Sequence, residues 1–381
     1  MSERDGTRFR VEVASRPAEF GALWPRTDAA GEGVSYVFQC ADLLEVWCDT
    51  IGRARGIEPC FVGVFDEAEM PVLLLALGIE RRRGARVLTF LDDGVMDYNA
   101  PVLFPGAVGL DGPAMAAIWD AMRAALPRFD VALLEKMPER VEHLANPMLL
   151  LDTAPYGASG HSMVLAGDWE TVEKGLPGRA GLRRNFRKLA KVGPVAMQIA
   201  RLPEEAEIFF AAMAEQKARR FRETRVPGFE VPGKLDYFRE ATRRIVGGGV
   251  HLSVLKAGET IVAAHWGLVY GPRFYHLMPA YAAGEVARYS PGVVHREAMT
   301  RWALENGYSL FDLGIGDEAY KLEFCDITIP LHTATVPMTL AGRMHVNASY
   351  GLARLRATWA WQAVRPYKWA VLRALKRNGA G

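Results

Sequence analysis

One pattern occurs twice in this chain: three strand-like apolar runs joined by tight turns, then a helix, then one more strand. In the first half the runs are Cys60–Phe65, Val72–Ile79 and Val87–Leu91, separated by Asp66-Glu67 and Arg83-Gly84, which predicts an antiparallel meander. A strand at Arg8–Val13 and a helix around Phe38–Thr50 precede it, and a helix at Pro113–Leu126, capped near Asp111 or Gly112, and a strand at Asp130–Glu135 follow. After the turn-rich stretch Asn146–Gly160 the order begins again. A strand at His161–Leu165, a basic helix within Thr171–Lys191, a strand at Ala196–Leu202 and helices at Glu204–Phe221 and Lys234–Val246 lead into a second meander. Its strands are Val250–Lys256, Thr260–Tyr270 and Arg273–Tyr281, with Ala257-Gly258 and Gly271-Pro272 as turns. A helix at Val293–Asn306, ended by Gly307, and a strand at Tyr308–Leu313 close the pattern.

The expectation is therefore α/β of the α+β kind: two units, each a mixed, largely antiparallel sheet flanked by helices. The boundaries read as 1–155 and 156–340, with 341–381 a basic amphipathic helical segment. A chain of 381 residues, half of them hydrophobic, has apolar material for two cores, and nine Trp with 17 Phe exclude a disordered chain.

Charge narrows the partners. The net charge is +2, but no acid follows Asp326, and eight cations do (Arg343, Arg354, Arg356, Arg365, Lys368, Arg373, Lys376 and Arg377), so residues 1–326 stand at −6. That balance argues against DNA and against tRNA as partners of the folded units. In Tyr350–Arg377 the cations flank Trp359, Trp361 and Trp369, a pattern suited to peripheral association with an anionic membrane or, equally, to a helix packed across the core. Four scattered cysteines without a CxxC pair or a His cluster speak against a disulfide scaffold and a metal site. The polar N-terminus and the lack of a long apolar run point to a cytoplasmic protein, and the basic tail suits a peripheral place at the inner face of the membrane.

Two segments carry chemistry. In Arg288-Tyr-Ser-Pro-Gly292, Ser290 is a suitable N-cap and Pro291 a suitable first helical residue. Gly292 lets a ligand approach the backbone, Arg288 stands just upstream, and the first helical turn has no acid. Free amides and the helix dipole would suit a phosphate; an ordinary capped helix reads the same way. The second segment, Phe311-Asp-Leu-Gly-Ile-Gly-Asp-Glu-Ala-Tyr-Lys321, ends a strand in glycines and then presents Asp312, Asp317, Glu318, Tyr320 and Lys321.

The meander, the Y-S-P-G turn into a helix and the F-D-L-G-x-G-x-E-x-Y-K run together resemble the acetyltransferase family of the bacterial cellulose-biosynthesis protein CelD. That family lies in the GNAT superfamily and is similar to the Fem peptidyltransferases. The resemblance spans roughly residues 35–325 and is densest over 250–325. It implies tandem GNAT-like domains, the second binding acetyl-CoA or another acyl-CoA as co-substrate without a metal. Arg288, Tyr289, Ser290, Pro291, Gly292 and Val293 would form the pyrophosphate turn, although the superfamily's usual turn is richer in glycine. The implied activity is acyl transfer to an amine or hydroxyl of a sugar, a cell-envelope intermediate or a small metabolite, as in polysaccharide biosynthesis. A Fem-like aminoacyl-tRNA-dependent transferase and a non-catalytic binding module on the same fold are the alternatives.

Acyl transfer needs a base, an oxyanion stabiliser and a proton for the thiolate. Asp312 and Glu318 are candidates for base or orienter, Lys321 for charge stabilisation, Tyr320 for donation to the thiolate; a structural salt bridge between Asp312 and Lys321 is the bland reading. His265, on the alternating face Ile261, Ala263, His265, Gly267, Val269, is a further candidate base or a core histidine. In Phe90-Leu-Asp-Asp-Gly-Val-Met-Asp-Tyr-Asn-Ala-Pro101 the resemblance places Asp97 and Tyr98 toward the acceptor, a plain polar loop being the alternative; Tyr281 is a further substrate-binding candidate. The basic helix Arg179–Lys191 either meets the CoA 3′-phosphate or an anionic acceptor, or simply faces water.

Overall fold

The computed structural model describes residues 9–29, 31–224 and 226–357, with side chains as far as Gly351. Two large sheets organise it. The strands in chain order are β1 (Arg10–Ala14), β2 (Glu58–Phe65), β3 (Pro71–Arg82), β4 (Ala85–Phe90), β5 (Val102–Leu103), β6 (Val131–Pro138), β7 (Arg140–Val141), β8 (Leu144–Ala145), β9 (Thr153–Pro155), β10 (Gly160–Val164), β11 (Val195–Ile199), β12 (Val250–Ala257), β13 (Thr260–Tyr270), β14 (Arg273–Tyr281), β15 (Leu310–Ile315), β16 (Ile327–Ile329) and β17 (Leu331–Pro337). The helices are α1 (Ala41–Trp47), which runs through a π-helical segment into the single turn α2 (Arg53–Arg55), then α3 (Gly112–Ala125), α4 (Trp169–Gly175), α5 (Arg179–Leu189), α6 (Pro203–Thr224), α7 (Lys234–Ile245), α8 (Pro291–Glu305), α9 (Ala319–Phe324) and α10 (Leu340–Ala357).

The first sheet has the order β1-β2-β3-β4-β6-β17-β9, with β5 beside β3, and the second β11-β12-β13-β14-β15-β10-β16. Each meander is antiparallel, and each is followed by one parallel pairing, β4 with β6 and β14 with β15. A helix supplies the crossover both times, α3 in the first unit and α8 in the second, because parallel neighbours need a long connection. Strands β2 and β3 read as continuous apolar runs because both their faces are covered: Phe61–Val62 and Val72–Leu77 are almost wholly buried. Asp111 caps α3, its Oδ1 accepting the Ala114 amide at 2.9 Å.

Three details differ from the sequence reading. The basic stretch expected as one helix is two, α4 and α5, because Leu176-Pro177-Gly178 interrupts it and Gly178 adopts a left-handed φ of 71°. The sheets do not divide at the boundary read from the sequence. Strand β10 opens the second sheet, while β17, which the reading placed in a 156–340 unit, returns to the first sheet between β6 and β9. The first sheet thus takes one strand from the second half of the chain, which a linear boundary cannot assign to it, whereas all strands of the second sheet lie within residues 160–329. Finally, α10 packs on β4 and β17, with Val346 against Ala85, Val87 and Val131; Gly342 sits so close to the Asp130 carbonyl that a Cβ there would come within 1.9 Å of it. The start of the 341–381 segment is therefore part of the first unit. Trp359, Trp361, Trp369 and the cations from Arg365 onward lie outside the described residues. Among the described residues no helix is long and apolar enough to cross a membrane.

Candidate active site

The parallel ladder between β14 and β15 runs from Arg273–Leu310 to Tyr275–Asp312 and stops there, although β14 continues to Tyr281 and β15 to Ile315. Outer neighbours hold both strands beyond that point: β13 stays paired with β14 as far as Tyr281, and β10 pairs Gly160 with Ile315. The inner edges of His276–Tyr281 and Leu313–Ile315 are thus left unpaired to each other. Unpaired strand edges offer amide and carbonyl groups to an extended ligand.

Asp312 closes the apex. It is fully buried, and its oxygens accept from Tyr98 Oη (2.9 Å), Ser162 Oγ (2.9 Å), Arg273 Nη1 (2.8 Å) and the Gly314 amide (2.7 Å). Arg273 also faces Glu142 at 3.4 Å and lies over the rings of Tyr36 and Tyr275. Burial by itself disfavours the Arg273 cation, but Tyr275, Asp312 and Glu142 outweigh it and hold the group charged. A carboxylate with four donors has no oxygen free to take a proton from a substrate. Asp312 therefore ties the two halves together, and Arg273, not Lys321, is its ionic partner.

Tyr98 belongs to the same cluster. It is fully buried and packs so tightly on Gly160 that a Cβ there would lie 2.3 Å from Oη; burial, then Asp312 and Asp97, push its hydroxyl well above the ordinary range. It is a permanent donor to Asp312 and is walled off from an acceptor. Asp97 is placed differently. Its Oδ2 accepts the Ile315 amide at 3.2 Å and lies against Gly314, while Oδ1 has no partner among the described residues. Burial, helped by Asp312, raises its carboxyl to about 6 against the opposing pull of Lys136, the Ile315 amide and Lys321. This is the carboxyl at the open end of the β14–β15 gap.

Lys321 is 4% exposed and donates to the carbonyls of Ile315 (2.7 Å) and Gly314 (3.4 Å), with Glu318 at 3.1 Å. It caps the end of β15 and fixes the loop that receives Asp97. Glu318 itself is exposed and occupies the N-cap position of α9. Tyr320, 40% exposed, lies under the guanidinium of Arg296, and burial raises its hydroxyl. His265 is fully enclosed, stacked on His276 at 4.5 Å with His251 and His295 nearby, and neither ring nitrogen has a partner among the described residues. Burial first, and then the neighbouring histidines, hold it neutral far below its ordinary value. It is a core residue with no path to a substrate.

The turn before α8 keeps part of its expected form. Pro291 begins the helix, and Ser290 occupies the N-cap position with φ 49° and no side-chain cap, so the predicted hydroxyl bond is not made. The Val293 and Val294 amides both reach the Ser290 carbonyl, which leaves Gly292 as the open amide of this end. Gly292 packs on Tyr281, whose carbonyl accepts from Arg219. Arg288 is exposed, paired with Glu285 at 3.0 Å and bonded to Tyr289 Oη at 2.8 Å. Helix α5 packs on this turn, with Lys188 Nζ 5.8 Å from the Tyr289 ring centre. The basic helix is thus adjacent to the turn, as a phosphate-rich ligand would need.

The sequence reading missed Arg273, Ser162, Lys217 and Lys234. Arg273 stood next to a Gly-Pro turn and was absorbed into it. Lys217 sits in a helix among other cations, and only the packing of α6 over β14 brings its Nζ to the Pro279 carbonyl at 3.2 Å.

Residues 178–322 match the family model of the acetyltransferase (GNAT) domain, and the gap beyond Tyr275 lies inside the matched segment. No curated protein matches the chain. The fold is similar to the crystal structure of FemX, at 10% identity and a TM-score of 0.58 over 86% of this chain and 97% of that one. It is also similar to a conserved protein of unknown function from Bacteroides thetaiotaomicron, at 10% identity and 0.52 over 86% and 99%. The chain therefore has a GNAT-type acyltransferase fold within a two-sheet architecture shared with FemX.

Proposed function

We propose that the protein transfers an acyl group from acyl-CoA, in the simplest case acetyl-CoA, to an amine or hydroxyl of a small acceptor held between the two sheets. The observation that carries this reading is the end of the β14–β15 ladder at Tyr275–Asp312, directly ahead of the α8 turn. The pantetheine would lie along the unpaired edges, and the phosphates would meet Gly292, Arg288, Tyr289, Ser290, Pro291, Val293 and the cations of α5.

Asp97 is the base in this scheme. With a carboxyl near 6 it is ionised at neutral pH yet still able to take a proton. The acceptor loses its proton to Asp97, its lone pair attacks the thioester carbonyl, and the tetrahedral intermediate collapses with cleavage of the C–S bond. Tyr320 supplies the proton to the departing thiolate. Lys321, Asp312 and Arg273 position the loop and the apex rather than touch the reacting atoms.

The CelD-like assignment, with a sugar or envelope precursor as acceptor and a peripheral place at an anionic membrane, extends the same reading. A Fem-like donor, aminoacyl-tRNA, is the second reading, favoured by the similarity to FemX and opposed by the −6 charge of residues 1–326. Isothermal titration with acetyl-CoA tests the choice. Binding in the micromolar range supports an acyl-CoA donor, and no binding of acetyl-CoA together with binding of a charged tRNA would overturn it.

A further inference from the structure

We infer that the acceptor carries an anionic group, a phosphate or a carboxylate, and that Lys217 on α6 and Lys234 at the start of α7 receive it. The inference rests on the proposed function for the place of the acceptor, beside Asp97.

Helix α6 crosses the free stretch of β14, where Lys217, half-buried, donates to the Pro279 carbonyl and rests over the Phe221 ring at 5.4 Å. An ammonium has three donors, and two of those on Lys217 have no partner among the described residues. Lys234 follows Gly233, which is held left-handed (φ 78°) and so close to Ile51 that a Cβ would lie 2.7 Å from its Cα. This contact fixes the start of α7 on the first unit. Lys234 Nζ lies 3.4 Å from the position a Cβ would take on Gly94, three residues before Asp97.

Several of the surrounding charges are matched. Lys136 pairs with Asp92 at 2.8 Å, Arg55 with Asp93, Lys321 with Glu318 at 3.1 Å and Arg220 with Glu223 at 3.5 Å. Asp97, Lys217 and Lys234 form no ion pair among the described residues, nor do Glu135 and Arg296 farther along the same walls. Burial, and then Arg220 and Lys234, depress the Lys217 amine to about 8; burial also depresses Lys234, against the opposing pull of Asp92, Asp93 and Asp97. Partly buried cations that form no ion pair cost stability, and an anion at this place reduces the cost. The spare carboxyl and the two spare cations match an acceptor whose nucleophile meets Asp97 and whose anionic group meets the lysines.

The test is calorimetric titration of the full-length protein, first with CoA and then, with CoA present and again without it, with inorganic pyrophosphate and in parallel with malonate. Failure of CoA to bind removes the proposed donor and leaves the lysine site to be judged by the second step, since Lys217 and Lys234 lie off the α8 turn. At least one of the two anions is expected to bind, with Lys217→Met and Lys234→Met each weakening it by about tenfold or more and Lys217→Arg retaining it. Preference for pyrophosphate identifies a phosphate-bearing acceptor, and preference for malonate a carboxylate-bearing one. The inference is overturned if neither anion binds, or if binding is unchanged in both methionine variants. Lys234→Met gives an independent answer should Lys217→Met fail to fold.

Discussion

Asp97 of the first unit occupies the space that a side chain on Gly314 of the second would need: a Cβ on Gly314 would come within 2.1 Å of Asp97 Oδ2. Gly314 also has φ 68°, in the left-handed region that favours glycine. The base candidate and the end of β15 are thus registered by direct contact between the halves of the chain. Gly314→Ala should displace Asp97 and lower kcat by about tenfold or more while CoA affinity changes little, because a misplaced catalytic group of this kind costs rate before it costs binding. Steady-state kinetics beside CoA titration separate the two effects, and equal kcat in the variant would refute the registration.

The pH dependence follows from the position of Asp97. Its carboxyl rises from an ordinary 3.8 to about 6 in the folded protein. As a base it must be ionised, so kcat/KM should increase as pH rises through about 6 and then level off. Asp97→Asn should remove that limb and lower the rate by roughly two to four orders of magnitude. Linkage gives a second, opposite readout. A carboxyl whose folded value is raised binds its proton more tightly when folded, so its contribution to stability falls as pH rises from about 4 to 6. Asp97→Asn should therefore melt higher than the parent protein at pH 7 and about equally at pH 4. A lower melting temperature at pH 7 would show that Asp97 is a structural group.

Arg273→Met addresses the apex. Removing one member of a buried ion pair leaves Asp312 uncompensated and costs about 3–5 kcal/mol. The expected outcome is a large fall in melting temperature, partly recovered in Arg273→Met/Asp312→Asn, where no buried charge is left alone. If Arg273→Met keeps its stability and loses only activity, Arg273 acts on the substrate.

Gly292→Val tests the phosphate turn. A Cβ at Gly292 would meet Tyr281 at 3.5 Å, an ordinary contact, so the helix should form, while the branched side chain crowds the open amide. CoA affinity should fall about tenfold or more with an unchanged circular dichroism spectrum; unaltered affinity would move the phosphates elsewhere.

Membrane association is tested on the intact chain. Vesicles of phosphatidylglycerol should sediment the protein at low salt and release it at high salt, each basic residue near the surface contributing about 1 kcal/mol. Replacing Arg365, Lys368, Arg373, Lys376 and Arg377 with Gln should abolish sedimentation. If the parent protein ignores the vesicles, the tail has another role.

The second meander was legible almost residue by residue, because Thr260–Tyr270 and Arg273–Tyr281 combine strand-forming residues with Gly-Pro and Ala-Gly turns that allow little else. The helix after Pro291 and the glycine-ended strand before Glu318 were legible for the same local reason. Non-local partners were not. Nothing in Leu331–Pro337 states that it pairs with β6 about 200 residues earlier; an amphipathic strand fits either sheet edge, and only the packing of both cores selects one. The roles of polar residues were hidden likewise. Asp312, read as a base, has its oxygens consumed by Tyr98, Ser162 and Arg273, which come from three separate strands and loops. Asp97, read as an acceptor contact, becomes the titratable group because folding buries it against Gly314 and Ile315. Secondary structure follows from neighbours along the chain, whereas proton affinity and ion pairing follow from desolvation and distance, which exist only after the two sheets have met.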